Sequence, residues 1–200
     1  MFNRRSLLTR FAILGIAPAG FLSADVVRPA RMITDFSTKD TGLTWQTVND
    51  TVMGGLSRSR IEVSDRGIAR FSGTLSLENN GGFASVRSAG NLPDLTGYEA
   101  LVVRAKGDGR SYQFRVRTGT GWRVPDYRAG FTTRKGAWQE HYLPFADFVP
   151  GWRGRRLRGV PPIDSAKIQS LGILLGDKKP GGFELSIDWI KAGSKGISTG

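Results

Sequence analysis

The sequence predicts an all-β domain, a sandwich or barrel, on three observations. Short apolar or alternating segments recur about every ten residues. Turns rich in Gly, Asn and Asp separate them. No long stretch carries apolar residues at helical spacing. The length of 200 residues suits one domain.

Residues 1–24 read as an export signal with a short linker. Asn3 to Thr9 is a charged segment containing Arg4 and Arg5, Phe11 to Ala17 is a short apolar run, and Ala17-Pro18-Ala19 fits a small-x-small cleavage site. The apolar run is far shorter than the roughly 20 residues of a spanning helix. Arg4-Arg5-Ser6-Leu7-Leu8 is similar to a twin-arginine signal, which predicts a periplasmic protein. A mitochondrial transit peptide is the alternative, because the segment is rich in Arg and Ser and has no acid before Asp25.

Residues 25–192 read as the β domain. Met32 to Phe36 and Ser57 to Val63 are strands, the second closed by Asp65-Arg66-Gly67. Ile68 to Leu77 alternates, with Ala69, Phe71 and Leu75 opposite Arg70 and Ser72. Asn79-Asn80-Gly81-Gly82 predicts a hairpin turn, since Asn and Gly tolerate positive φ, and Phe83 to Ser88 is its returning strand. Ala100 to Lys106 ends at Gly107-Asp108-Gly109, and Tyr112 to Thr118 alternates after it. Val124 to Phe131, Gln139 to Leu143, Ile168 to Leu175 and Phe183 to Lys191 complete the strands. Pro144 to Ser165 is the longest irregular stretch, with a short helical turn at Phe145 to Phe148, and residues 193–200 form a flexible tail.

The chain has no cysteine, which excludes disulfides, zinc-thiolate sites, iron–sulfur ligation and thiol nucleophiles. Its net charge is +12; taking away the leader's Arg4, Arg5 and Arg10 leaves +9. Such a charge favours anionic partners or simply solubility. His141 is the only histidine, placed on the same strand face as Leu143, and no nucleophile elbow or phosphate loop accompanies it. The acids are too scattered for a glycosidase pair or a calcium site; Asp188 reads as a structural contact. No catalytic residue, metal site or cofactor is predicted, and the chain is read as not an enzyme.

Several segments carry a family resemblance. Trp45-Gln46-Thr47-Val48-Asn49-Asp50-Thr51-Val52-Met53-Gly54-Gly55-Leu56-Ser57 comes first. Phe71-Ser72-Gly73-Thr74-Leu75 and Asn80-Gly81-Gly82-Phe83-Ala84-Ser85-Val86-Arg87 follow. Gly107-Asp108-Gly109-Arg110, Leu143-Pro144-Phe145 and Ile187-Asp188-Trp189-Ile190 come later. In this order they resemble the CIA30 family, the complex I intermediate-associated proteins, over nearly all of residues 33 to 192. The resemblance implies a jelly-roll β-sandwich of the galactose-binding-like kind. It also implies a non-catalytic, chaperone-like role in assembly of a respiratory complex.

Two sets of residues stand out as sites. Asn49, Asp50, Met53, Gly54 and Gly55 form either a ligand loop or a structural one; Asn and Asp bonding to nearby backbone favours the structural reading. Strand alternation turns Phe83, Ser85 and Arg87 outward, likewise Arg104, and likewise Gln113, Arg115 and Arg117. If those strands share a sheet, four guanidinium groups line one surface. That surface is expected to dock an acidic face of a partner protein, a respiratory-complex subunit or assembly intermediate under the family resemblance. Carbohydrate or another polyanion is the alternative ligand. The run Arg153, Arg155, Arg156 and Arg158 reads as a solvated loop, with binding of phosphate or of anionic lipid, a peripheral membrane contact, as the alternative. Specific nucleic-acid binding is not expected, for want of a recognition signature.

Overall fold

The computed structural model describes residues 28–37, 42–121 and 124–194. The predicted leader, residues 1–24, and residues 195–200 of the predicted tail lie outside the described residues; the first two residues of that tail belong to the domain instead, Gly193 as the end of a strand and Ser194 as a buried residue. In chain order the strands are Arg31–Thr34 (β1), Thr44–Thr47 (β2), Arg58–Val63 (β3), Ala69–Leu75 (β4), Ala84–Ala89 (β5), Ala100–Gly107 (β6) and Ser111–Arg117 (β7). Asp126–Thr132 (β8), Trp138–Pro144 (β9), Val149–Trp152 (β10), Arg155–Arg156 (β11), Ser170–Leu175 (β12) and Gly181–Gly193 (β13) follow.

They form two antiparallel sheets. The first runs β3-β4-β13-β6-β9, with β1 also paired to β13; the second runs β11-β10-β8-β7-β12-β5-β2. The alternation seen in the sequence is what builds the sandwich. Phe71, Val103, Leu185 and Ile187 point inward from the first sheet, and Val86, Phe114, Val116 and Ile173 from the second; all are essentially fully buried. Each such side chain contributes on the order of 1.5–3 kcal/mol of burial. The predicted helical turn is present as a 3-10 turn at Phe145–Asp147. No helix among the described residues is long and apolar enough to cross a membrane.

Two expectations need correction. Asn79-Asn80-Gly81-Gly82 is not a hairpin turn: β4 and β5 lie in different sheets. Asn79, Asn80 and Gly82 do take positive φ (53°, 58° and 131°), but they carry the chain from one sheet to the other. Turn chemistry reveals the reversal and not which sheet the next strand joins. The stretch Pro144 to Ser165 is not wholly irregular either, since it holds β10 and β11. Pro150 and Gly151 mask the strand signal of β10, because both weaken a sheet interior; its place beside the two-residue edge strand β11 tolerates them.

Candidate functional site

The most distinctive sequence motif folds around one carboxylate. Asn49 precedes a 3-10 turn at Asp50–Met53, and Asp50 is fully buried. Its Oδ1 accepts the Ser57 backbone N–H at 2.9 Å. Its Oδ2 accepts the Ser57 hydroxyl at 2.6 Å and the backbone N–H groups of Gly82 and Phe83 at 2.7 and 3.2 Å. Burial alone would push this carboxyl up, but the bonds from Ser57, Gly82 and Phe83 outweigh it and hold its pKa below the ordinary value. Asn49 Oδ1 accepts the Ser59 hydroxyl at 2.7 Å and the Ser85 N–H at 3.3 Å. The loop is thereby tied to β3 and to the crossover before β5.

The paired glycines have different reasons. A Cβ on Gly55 would lie 2.4 Å from Asp50 Cγ, whereas one on Gly54 would meet nothing within 4 Å. Gly54 instead has φ +89°, a conformation that side chains resist. Met53 is outside this knot and 65% exposed.

A second constellation lies on the outer face of the second sheet. Gly172 of β12 pairs with Arg87 on one side and Arg115 on the other, and Arg115 pairs with Arg128. Opposite residues share a face, so these arginines stand in one row, with Gly172 as the gap between the first two. Arg117 follows on β7, opposite Asp126. Arg115 is ion-paired with Asp126 and donates to Gln113 Oε1 at 3.3 Å, while its Nε is buried without a partner. Arg117 donates to the Gly121 carbonyl at 2.5 Å and Arg128 to that of Gly154 at 3.4 Å. Arg87 is half-buried, and its guanidinium makes no hydrogen bond or ion pair among the described residues. Burial lowers the pKa of both Arg87 and Arg115; Arg117 adds to this for Arg87, and Asp126 opposes it for both. An open cleft of about 430 Å³ sits over this row, walled by Val124, Trp152 and Arg153. The Arg153 guanidinium lies 4.8 Å over the Trp152 ring.

The structure brings Ser85, Arg87, Gln113, Arg115 and Arg117 together and leaves two expected members, Phe83 and Arg104, out. Arg104 is on β6 in the first sheet, ion-paired with Asp188 and 5.3 Å from the Trp138 ring. Alternation fixes which side of its own strand a residue takes, and the two sheets turn their outer faces in opposite directions. Ser85 is buried and its hydroxyl is taken by the Val48 carbonyl. Phe83 precedes β5, half-buried, with its backbone in the Asp50 knot. Asp126 in the cleft, Arg128 in the same row, and Trp152 and Arg153 on the cleft wall were not anticipated. The alternation of Asp126 and Arg128 against Tyr127, Ala129 and Phe131 is the signal that could have found the first two. Arg155 and Arg156 form exposed β11. His141 faces inward, 4.8 Å from the Phe131 ring, with its pKa lowered by burial. Among the described residues no group of three potential ligands is placed to hold a metal ion.

Comparison with known proteins gives a consistent picture. The family model for Complex I intermediate-associated protein 30 (CIA30) matches residues 34–187. The mouse protein named "Complex I intermediate-associated protein 30, mitochondrial" is 29% identical over 187 residues, covering 82% of this chain and 56% of the mouse protein. The Neurospora crassa protein of the same name is 30% identical over 140 residues, covering 60% of this chain and 49% of its own length. This chain thus spans about half the length of these two relatives. A family 11 carbohydrate-binding module from Clostridium thermocellum, solved with a β-1,3-1,4-mixed-linked tetrasaccharide, has the same fold: TM-score 0.57, 17% identity, 82% of this chain and 95% of that one. At that identity the likeness is one of fold.

Proposed function

Because the chain belongs to the complex I intermediate-associated protein 30 family, we propose that it is a non-catalytic protein-binding module whose arginine cleft docks an acidic surface of a partner. The partner is a respiratory-complex subunit or assembly intermediate, in keeping with the names of the mouse and Neurospora relatives. One observation carries the docking reading. Arg87, Arg115, Arg117 and Arg128 gather on one sheet face around the single carboxylate of Asp126. Like charges repel, and folding alone gives no reason to assemble them. Arginine forms charge-assisted bonds with carboxylates and is favoured at interaction hot spots.

The test uses Arg87 and Arg117, since Arg115 is engaged with Asp126. Affinity capture from the host with the wild-type chain is expected to recover a complex I subunit or assembly intermediate, less of it as salt rises. Arg87→Glu with Arg117→Glu is expected to abolish that recovery while the fold is kept. Undiminished recovery by the folded double variant overturns the docking reading.

Carbohydrate binding is the second reading, and the shared fold supports it. The cleft argues against it: arginines dominate its described lining, and Trp152, the one aromatic ring there, has one of its faces covered by Arg153. For location, the names of the mouse and Neurospora relatives support a mitochondrial leader over periplasmic export. Changing Arg4 and Arg5 to Lys separates the two. Twin-arginine export stops, whereas a transit peptide keeps its charge and its activity.

A further inference from the structure

The cleft has more structure than a generally basic surface. The Arg115 guanidinium is bound to Asp126 and Gln113, so its charge is largely answered within the protein. Arg87 has no acceptor among the described residues, and Arg117 has only the Gly121 carbonyl. Two guanidinium groups without a direct ion pair therefore face one cleft, where the nearby carboxylate, Asp126, is already held by Arg115. Arg87 is half-buried there, where a charge without an acceptor is costly.

Adjoining the cleft is a recess of about 20 Å³ lined by Ser85, Arg87, Arg115, Arg117, Gly172 and Asp126, whose carboxylate is held by Arg115. That is room for about one oxygen-sized atom. Gly172 keeps it open: a Cβ there would come within 2.9 Å of the Val86 carbonyl and 3.6 Å of Arg115 Cβ. The unpartnered Arg115 Nε belongs to a residue lining this same recess. Further out, Val124 and Trp152 offer apolar surface within the open volume of about 430 Å³.

We propose that this cleft binds a phosphate monoester, one phosphate oxygen entering the recess and the others bridging Arg87 and Arg117, with the organic group against Val124 and Trp152. A carboxylate answers only one of the two free charges, whereas a phosphate monoester carries about −1.5 to −2 at pH 7 and answers both. Planar guanidinium groups suit its three oxygens. The inference uses the same cleft as the docking reading and names the group received there, but it needs no protein partner to be measured.

The test is calorimetric titration of the full chain with inorganic phosphate, phenyl phosphate, a phosphoserine peptide and acetate at matched ionic strength. The three phosphates are expected to bind saturably one to one. Acetate is expected to bind at least about tenfold more weakly, since it forms fewer charge-assisted bonds. Tighter phenyl phosphate than phosphopeptide identifies a small-molecule ligand, and the reverse order a modified side chain. Affinity should fall as pH drops through about 6, where the dianion is protonated. Arg87→Gln and Arg117→Gln should each lose about tenfold or more. A shift of the Arg87 guanidinium resonance on adding phosphate to wild-type protein keeps the test independent of variant folding. Absence of saturable phosphate binding, or acetate binding as tightly, overturns the inference. A chain that binds no phosphate yet loses its partner in the double Glu variant overturns this inference alone and leaves the docking reading standing.

Discussion

The Asp50 loop and the arginine cleft use buried or half-buried charge in opposite ways. Asp50 receives four hydrogen bonds and leaves nothing to offer a ligand. Arg87, at a less buried position, has no acceptor among the described residues. The recognisable motif is thus a device for fixing two loops, while the cleft, whose residues form no contiguous motif, keeps its bonding capacity unspent. A motif's specificity measures how narrowly geometry constrains it, and a structural knot can be as constraining as a binding site.

Substitutions can break this contrast, beginning with the largest effect. Asp50→Ala strands three backbone N–H groups and takes away the Ser57 hydroxyl's shortest acceptor, and should cost about 3–5 kcal/mol, like breaking a buried network. A melting point lowered by about 10 °C is the readout. Gly55→Ala drives a methyl into that carboxylate and should cost about 2–3 kcal/mol. Gly54→Ala should cost only about 1 kcal/mol, from its positive φ. Equal losses at the two glycines in denaturant melts would show that contact with Asp50 does not set the difference.

The cleft predicts an internal contrast of its own. Arg115→Ala leaves Asp126 partly buried and unpaired, and should destabilise by about 1–3 kcal/mol. Arg87→Ala should change stability by under about 0.5 kcal/mol, because it breaks no bond among the described residues. Urea unfolding separates them, and an Arg87 loss as large as that of Arg115 would assign Arg87 a structural role. The smallest effect concerns His141. Burial lowers its folded pKa, so the unfolded chain binds the proton more readily. Stability should therefore be full above about pH 6.5 and decline as pH falls below it. His141→Leu should flatten that decline in urea midpoints measured at pH 7.5 and 5.5.

Much of the strand pattern was legible because half-buried strands must alternate, as Tyr112, Phe114 and Val116 do against Gln113, Arg115 and Arg117. Strand pairing was not legible. Arg104 and Arg115 look equivalent along the chain, yet β6 and β7 belong to different sheets, and only long-range register separates them. Arg153 was hidden for another reason. It belongs to a Gly- and Arg-rich stretch that reads as solvated loop, and it reaches the cleft because β10 pairs with β8.

The order of the strands also bears on how the protein is made. The 13-residue β13 is the last strand among the described residues and the spine of the first sheet, pairing with β4, β6 and β1, with a bulge at Asp188. While translation is under way, β4 and β6 are already synthesised, but the strand that lies between them is missing. Their edges are open, and the inward faces of Phe71 and Val103 have no finished sheet around them. The first sheet closes only after residue 193 has emerged. Until then the nascent chain exposes unpaired edges and apolar surface, which makes it a natural client for chaperones.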